Sequence, residues 1–345
     1  METMIEFDRV SIVFGAEPER ALALMDEGRS RSEIQKATNQ ILGVHDCSLS
    51  VPQGEISVLM GLSGSGKSTL LRAVNGLNPV TRGRLLVRGR EGETVDVASC
   101  DAGSLRALRR GGVAMVFQQF GLLPWRSVVE NVAFGLELAG LGRPERLEKA
   151  REVLATVNLQ DWAEKRVGEL SGGMQQRVGL ARAFATDAEI LLMDEPFSAL
   201  DPLIRARLQD ELLQLQERMR CTIVFVSHDL EEAVKLGQVI SILEGGRIVQ
   251  TGRPEDIVLR PANDYVADFV AHLNPLSVLR ARDAMTPDPG PGDPARRIAP
   301  DAPLAAALPH FRTSDAPVWV GAEGATEGRI LPATVCAMLA RAPAG

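Results

Sequence analysis

A short segment rich in glycine and hydroxyl residues has the composition of a loop that binds phosphate. Residues 61–69 read Gly-Leu-Ser-Gly-Ser-Gly-Lys-Ser-Thr. They follow residues 56–60, an apolar run of strand length, and lead into residues 67–75, which suit a helix. A strand, a glycine-rich loop and a helix in this order place backbone N–H groups and a helix N-terminus where they hold phosphate oxygens. The alternative is a glycine-rich turn that contains Lys-Ser by chance.

The side chains of this segment suit a bound nucleotide with its metal ion. Lys67 can reach the β- and γ-phosphates, and the hydroxyl of Ser68 can bind Mg²⁺. The glycines allow the loop to turn its N–H groups inward. We therefore predict ATP and Mg²⁺ as cofactors, held at this loop by Gly61, Ser63, Gly64, Ser65, Gly66, Lys67, Ser68 and Thr69.

Two adjacent carboxylates follow a second apolar run of strand length. Residues 190–193 read Ile-Leu-Leu-Met, and Asp194 and Glu195 come next. A carboxylate at the C-terminal end of a strand beside a phosphate loop can position Mg²⁺, so we assign Asp194 to the metal. Glu195 then suits a general base for an attacking water. The alternative is a solvated strand end.

A second glycine-rich turn lies about a hundred residues beyond the first. Residues 170–177 read Leu-Ser-Gly-Gly-Met-Gln-Gln-Arg, and the pattern continues as a helix. Ser171 and the amides of Gly172 and Gly173 would therefore lie at a helix N-terminus, where they too suit phosphate.

Further polar residues complete a recognisable order of motifs. Gln118 and His228 each follow an apolar run of strand length, and Asp201 ends the run Pro-Phe-Ser-Ala-Leu-Asp after the two carboxylates. With the two glycine-rich turns, these segments resemble the Walker A, Q-loop, signature, Walker B with D-loop, and H-loop motifs of the ATP-hydrolysing subunits of ABC transporters. The resemblance covers about residues 5–272.

This resemblance implies a fold and a set of site residues. The fold would be α/β, a P-loop NTPase core of the ABC ATPase type with an inserted helical subdomain. Gln118 and His228 would join Glu195 as catalytic residues, and Gln118 would also contact Mg²⁺. Phe14 occupies the position of an aromatic that stacks on adenine, although a lone Phe near an N-terminal strand is more often core. In a head-to-tail homodimer, the signature turn would face the nucleotide of the other subunit through Ser171, Gly172, Gly173 and Gln175, with Asp201 nearby.

Longer segments are most similar to the importers of quaternary amines. They include ALALMDEGRSRSEI, FSALDPLIR and PANDYVADFV, while AHLNPLSVL is most like the choline members. The resemblance implies an ATPase subunit that powers uptake of choline, glycine betaine or proline betaine, with permease subunits and a solute-binding protein as partners. The alternatives are an importer of polyamines or amino acids, or an ABC ATPase that acts on DNA or ribosomes.

The composition of the chain bears on whether it binds nucleic acid and on where in the cell it is located. The chain of 345 residues has 38 Lys and Arg against 45 Asp and Glu, a net charge of −7. This balance lacks the basic excess of a nucleic-acid-binding protein. No apolar stretch approaches the roughly 18 residues of a membrane span. The start is acidic, unlike a secretory signal. We expect a soluble, cytosolic chain that reaches the cytoplasmic face of the membrane through the permease.

The predicted organisation has one large domain and a small C-terminal segment. Residues 1–272 would form the ATPase domain, with a helical insertion at residues 16–42 and a helical subdomain at about residues 125–185. Residues 273–299 include a run rich in Pro and Gly and are predicted as a linker. Residues 300–345 resemble one degenerate cystathionine-β-synthase-type (CBS) repeat.

The insertion and the tail carry narrower expectations. In the insertion, Ser30 and Glu33 fit a capping box. We interpret it as a packed hairpin, with a regulatory or docking element as the alternative. In the tail, Leu331 and Pro332 occupy positions where such repeats place groups that bind ribose. We therefore predict that the tail binds no nucleotide tightly.

Overall fold

The buried apolar runs of the sequence form the centre of a six-stranded sheet. The computed structural model describes residues 2–90, 92–117, 121–198, 200–288, 293–322 and 326–340, so the predicted site residue Gln118 lies outside the described residues. The chain divides into two compact units, Met1–Val249 and Gln250–Gly345.

The ten strands that begin in the described part of the first unit form two sheets. One has the order β2-β1-β4-β5, and the other has the order β10-β9-β3-β8-β7-β6. Their bounds are β1 (Thr3–Phe14), β2 (Ile41–Pro52), β3 (Ile56–Met60), β4 (Arg82–Arg88), β5 (Thr94–Asp96), β6 (Val113–Val116), β7 (Ile190–Asp194), β8 (Thr222–Val226), β9 (Val239–Glu244) and β10 (Arg247–Gly252).

The parallel part of the larger sheet fixes where the site lies. Strands β9, β3, β8, β7 and β6 pair in parallel. Every residue of β3, β7 and β8 is buried, as expected for strands covered on both faces. Parallel strands end at the same edge of a sheet. The phosphate loop, the Asp194–Glu195 pair and His228 follow or end β3, β7 and β8 and therefore lie along one edge.

Side-chain caps precede several helices of the first unit. Ser30 and Ser127 form capping boxes with Glu33 and Glu130, so the predicted Ser30 capping box is confirmed. The bounds are α1 (Leu22–Asp26), α2 (Arg31–Thr38), α3 (Lys67–Val74), α4 (Ala102–Ala107), α5 (Val128–Val132), α6 (Phe134–Leu138), α7 (Arg143–Thr156), α8 (Gly172–Phe184), α9 (Pro202–Met219) and α10 (Leu230–Leu236).

Two segments of this unit depart from the alternation of strand and helix. Residues 125–185, all described, contain α5 to α8 and two 3-10 turns but no strand. The insertion between β1 and β2 consists of a 3-10 turn, α1 and α2. It has a small core of its own, made by Val13, Ala21, Met25, Ile34 and Leu42.

The second unit contains a small four-stranded sheet and six short helices among its described residues. The strands are β11 (Thr286–Pro287), β12 (Arg297–Ile298), β13 (Val318–Val320) and β14 (Gly328–Ile330), in the order β11-β14-β13-β12. The helices are α11 (Pro254–Leu259), α12 (Asp264–Val270), α13 (Pro275–Val278), α14 (Ala281–Ala284), α15 (Leu308–Phe311) and α16 (Pro332–Ala340). No helix among the described residues of the chain combines the length and the apolar character needed to cross a membrane.

The start of this unit differs from the domain boundaries drawn from sequence. The unit begins at Gln250, ahead of the predicted domain end at residue 272. The segment predicted as a linker, residues 273–299, contains α13 and α14, and its residues Leu279, Ala281 and Ala284 are buried in the core of the second unit. These apolar side chains precede the run rich in Pro and Gly, so only the later part of the segment has the composition of a linker.

Candidate functional site

The phosphate loop begins where β3 ends, and left-handed glycines shape it. Gly61, Gly64 and Gly66 have φ values of +141°, +77° and +107°, which other residues rarely adopt. A Cβ at Gly61 would collide with the carbonyl oxygen of Leu243. Glycine is therefore required at these positions for the loop to turn and for the neighbouring strand to approach it.

Lys67 begins α3 and turns back over the loop. Its side chain is buried, and Nζ donates to the carbonyl oxygens of Gly61 at 2.8 Å and Leu62 at 3.1 Å. Burial lowers the pKa of the ammonium, while the nearby Glu195 and Asp194 act in the opposite direction. A buried ammonium held beside backbone N–H groups of a helix start is suited to an anion.

Ser65 adds an unused polar group to the same loop. Its Oγ is buried and has no hydrogen-bond partner among the described residues. Its backbone is fixed on both sides, since Ser65 N donates to Leu62 O at 3.1 Å and Gly246 N donates to Ser65 O at 3.0 Å. A buried hydroxyl without a partner is costly, so this orphaned atom favours a ligand at the loop. Ser63 and Gly64 are exposed on the outer side, and Thr69 is half-buried in α3.

A hydroxyl and a carboxylate meet beside the loop. Ser68 Oγ donates to Oδ1 of Asp194 at 2.7 Å. Arg72, one turn further along α3, donates from Nε to Oδ2 of Asp194 at 3.0 Å. Asp194 is 2% exposed, so its charge is balanced by an adjacent cation rather than by bulk water. Ser68 Oγ and Asp194 Oδ1 could therefore form part of a ligand set for a hard cation.

Glu195 lies next to His228 at the same edge of the sheet. Glu195 Oε2 is 3.2 Å from His228 Nδ1. Glu195 has φ of +46°, unusual for a residue with a side chain, and its N–H donates to Val226 O at 3.1 Å. The bond from the end of β8 holds this strained backbone, which is a feature of functional sites.

A buried polar network lies directly behind His228. Glu232, on α10, accepts hydrogen bonds from Ser227 Oγ and from Gln209 Nε2 on α9. Burial raises the pKa of the Glu232 carboxyl, and the two hydrogen bonds act in the opposite direction. The network ties the residue before His228 to two helices and so limits how far the imidazole can move.

The second glycine-rich turn forms a separate half of the candidate site. Ser171 caps α8, accepting from Met174 N at 3.4 Å, and Asp201 caps α9, accepting from Ile204 N at 3.0 Å. A Cβ at Gly173 would lie 2.9 Å from Cγ2 of Ile204, so the two helix starts are adjacent.

Ser171 and Gly172 are exposed, and Gln175 Nε2 donates to Leu170 O at 3.1 Å. Among the described residues, the side-chain hydrogen bonds of Ser171 and Gln175 stay within residues 170–175 and do not reach the phosphate loop.

Phe14 lies near α3, the helix that follows the phosphate loop, although a long insertion separates the two in sequence. It ends β1, pairs in register with Ile41 and packs on the main core. A Cβ at Gly43 would be 2.9 Å from both Phe14 Cε2 and Thr69 Cγ2, so these two side chains flank one glycine. The ring is half-buried. The Phe14 side chain therefore lies near α3 and also packs against the hydrophobic core.

Sequence reasoning did not identify Arg72 or Arg31. Arg72 follows Ser68 by four residues, so the helical repeat alone places both on one face towards Asp194. Arg31 lies in the insertion and donates to Gly64 O in the phosphate loop. No local pattern predicts that contact, because it joins segments that only the fold brings together.

Family models match the part of the chain that contains this site. A model described as "ABC transporter" matches residues 44–198. A second, described as "AAA domain, putative AbiEii toxin, Type IV TA system", matches residues 163–234.

Relatives of known function resemble a larger part of the chain. It is 48% identical over 283 residues to the glycine betaine/proline betaine transport system ATP-binding protein ProV of Escherichia coli strain K12, covering 82% of this chain and 70% of that protein. It is 46% identical over 281 residues to the glycine betaine/carnitine transport ATP-binding protein GbuA of Listeria monocytogenes, covering 81% and 70%. It is 45% identical over 269 residues to the trimethylamine N-oxide transport system ATP-binding protein TmoW of Ruegeria pomeroyi, covering 78% and 77%.

Two solved structures of an ATP-binding cassette resemble the chain. Both are dimeric, one described as a bacterial ABC transporter cassette and the other as a post-hydrolysis state bound to ADP and Pi. Each has a TM-score of 0.60 and 29% identity, covering 73% of this chain and 99% of the solved chain.

Proposed function

The chain belongs to the ABC transporter family of ATP-binding subunits, and from this membership we propose that it hydrolyses ATP to drive import of a methylated ammonium compound. The family predicted from sequence is confirmed by the extent and identity of the matches. The observation that carries the ATPase assignment is structural. Lys67, the Ser68–Asp194 pair and the Glu195–His228 pair lie along one edge of the central sheet.

Mg²⁺ fits the oxygen atoms present at this edge. Ser68 Oγ and the Asp194 carboxylate are side by side, and both are ligand types that Mg²⁺ prefers. No group of three or more His, Cys, Asp or Glu residues suited to a metal occurs in the described part of the chain, so phosphate oxygens and water would complete the shell. Gln118 remains a proposed contact of the metal. When bound, Mg²⁺ neutralises charge that develops on the β- and γ-phosphate oxygens.

Each side chain of the site then has a separate role in hydrolysis. Lys67 and the N–H groups at the start of α3 hold the phosphates in place. The Glu195 carboxylate takes a proton from the water whose oxygen attacks the γ-phosphorus, and the leaving group is ADP. His228, 3.2 Å from that carboxylate, keeps it directed into the site.

A homodimer would bring the two half-sites together. The turn at Ser171 has no hydrogen bond to the phosphate loop within the described chain, and it is exposed. The similar cassette structures are dimers. These observations support a head-to-tail pair in which Ser171, Gly172 and Gly173 of one chain face the nucleotide held by Lys67 of the other.

The solute class comes from the relatives. Their names specify glycine betaine, proline betaine, carnitine and trimethylamine N-oxide, all of which carry a methylated nitrogen. A compound of this class is the proposed cargo, and choline stays a candidate within it. A solute-binding protein would select the cargo, and permease subunits would hold this chain at the cytoplasmic face of the membrane.

The C-terminal segment is proposed to be a single CBS-like repeat. Parallel pairing of β12 with β13, joined through α15, supports this assignment, as does the antiparallel β13–β14 hairpin followed by α16. Leu331 and Pro332 precede or begin α16 and offer no polar side chain to a ribose. Calorimetry of the full-length chain with AMP and cyclic dinucleotides should show no micromolar binding, and such binding would contradict this expectation.

Reconstitution tests the proposed function. The chain would be placed in proteoliposomes with candidate permease and solute-binding subunits, and uptake of labelled glycine betaine, choline and putrescine would be measured. We expect uptake of a methylated ammonium compound that requires internal MgATP and is lost in Lys67→Ala. Uptake of putrescine alone would favour a polyamine importer. ATP hydrolysis that no solute stimulates would reject the transport assignment.

A further inference from the structure

Arg31 joins the insertion to the phosphate loop. It is the first residue of α2, and its Nη1 donates to the carbonyl oxygen of Gly64 at 2.6 Å. Its Nη2 donates to the carbonyl oxygen of Gly43, in β2. One guanidinium therefore bridges the insertion, a strand of the smaller sheet and the loop that would hold the nucleotide phosphates.

The guanidinium is committed to these carbonyl groups rather than to an ion pair. In the described part of the chain, no carboxylate lies within salt-bridge distance of Arg31, and its Nε is buried without a partner. Arg29, two residues earlier, is the contrast. Its side chain is 54% exposed and pairs with Glu27 at 3.3 Å and Glu33 at 3.9 Å, all within the insertion. The two arginines are close in sequence but have different contacts.

The bond to Gly64 O adds a second restraint to the Gly64–Ser65 peptide plane, whose N–H also bonds within the loop. Gly64 has φ of +77°, and a Cβ at this position would meet no atom within 4 Å. The space beside the Gly64 Cα is therefore open. Because a peptide is planar, the direction of Gly64 O also sets the direction of the Ser65 N–H, which donates to Leu62 O at 3.1 Å. Arg31 and Leu62 O thus hold the two ends of one peptide unit in the centre of the phosphate loop.

We infer that Arg31 is a positioning residue for the phosphate loop and that it couples folding of the insertion to nucleotide binding. This inference rests on the proposed nucleotide site. By thermodynamic linkage, if the docked insertion favours the loop conformation that binds phosphate, bound nucleotide must in turn favour the docked insertion. The insertion is then part of the nucleotide site rather than an independent surface hairpin.

Binding and hydrogen exchange on the full-length chain test this coupling. Arg31→Ala should weaken MgATP binding about tenfold, because two charge-assisted hydrogen bonds are lost. The rise in KM for ATP should exceed the fall in turnover at saturation. Arg31→Lys, which can reach one carbonyl with a single ammonium, should give an intermediate affinity. Arg29→Ala should bind as the wild type does.

Exchange rates distinguish coupling from a purely structural role. In the wild type, MgATP should slow amide exchange across residues 17–38, and this slowing should vanish in Arg31→Ala but persist in Arg29→Ala. Equal nucleotide affinity in the wild type and Arg31→Ala would overturn the inference, even if the insertion exchanged faster without nucleotide. If Arg31→Ala does not fold, an unchanged affinity in Arg31→Lys would overturn it. Failure of the wild type to bind MgATP would reject the proposed function and this coupling together.

Discussion

The carboxylate of Glu195 lies 3.2 Å from Nδ1 of His228, and the two residues follow or end neighbouring parallel strands. The side chain of Glu195 is 20% exposed and that of His228 is 58% exposed. The carboxylate is thus largely sheltered from solvent but still reachable. This arrangement suits a base that must receive a proton from water without being fully solvated.

Replacing Glu195 tests its role as the base. Glu195→Gln keeps the size of the side chain but cannot take a proton, so turnover at saturating MgATP should fall by about 10²- to 10⁴-fold. Nucleotide binding should persist, because the phosphate loop is unchanged. Phosphate release and equilibrium binding measure the two effects. Glu231→Gln, at an exposed position on α10, is the matched control and should hydrolyse normally. Near-normal turnover of Glu195→Gln would remove it from this role.

Neutralising Asp194 should uncouple nucleotide binding from magnesium. In Asp194→Asn the side chain still accepts from Ser68, but its charge is gone. The gain in ATP affinity that Mg²⁺ gives the wild type over EDTA should shrink on the order of tenfold. Arg72 loses its partner but is 44% exposed, so water can solvate it and the fold should survive. Titration of a fluorescent ATP analogue with and without Mg²⁺ provides the comparison. An undiminished response to Mg²⁺ would place the ion elsewhere.

The buried carboxyl of Glu232 should make stability depend on pH. Burial raises its pKa above the usual 4.5, so the folded state binds this proton more tightly than the unfolded state. The associated stability is present at low pH and is lost as pH rises from 4.5 through the raised value.

Glu232→Gln removes this titration. The free energy of unfolding of the wild type should therefore fall relative to the variant as pH rises to neutrality. Urea unfolding between acid and neutral pH measures the difference. Unfolding free energies that run parallel with pH in the wild type and Glu232→Gln would refute the prediction.

Trp125 should couple the subunit to its permease. It is 68% exposed and precedes α5, in the region without strands that follows β6. Large exposed aromatic residues are frequent anchors of interfaces. Trp125→Ala should lower solute uptake about tenfold while hydrolysis by the isolated subunit changes less than about twofold. Trp162→Ala, at a 37% exposed tryptophan of the same region, is the control. Equal loss of uptake and hydrolysis would indicate packing instead.

Local signals predicted the parts of the site that local interactions build. The strands before the phosphate loop, the carboxylates and His228 are apolar runs, and they are buried along their whole length. The capping box of Ser30 depends only on residues three apart, and it forms as predicted.

Contacts between residues far apart in the sequence could not be predicted from local patterns. Arg31 is 33 residues from Gly64, and nothing in the periodicity of either segment specifies their pairing. The predicted linker of residues 273–299 extends from the run rich in Pro and Gly back over Leu279, Ala281 and Ala284, which are buried in a core cluster. Their burial depends on partners elsewhere in the fold, which the Pro and Gly content of the segment does not specify.

Phe14 and Ile41 pair with each other in strands β1 and β2, so the insertion between them is a loop whose two ends are held together by the sheet. The sheet therefore does not depend on the length of this loop. Closure entropy grows only logarithmically, by about 0.6 kcal/mol for each doubling of length. Such a position can gain or lose whole elements without a change of topology. Because its small core is made by residues near one another in sequence, the insertion can also fold early and locally. Chain segments of this kind can be exchanged between proteins as units, provided that the incoming segment restores the contacts to the loop it covers.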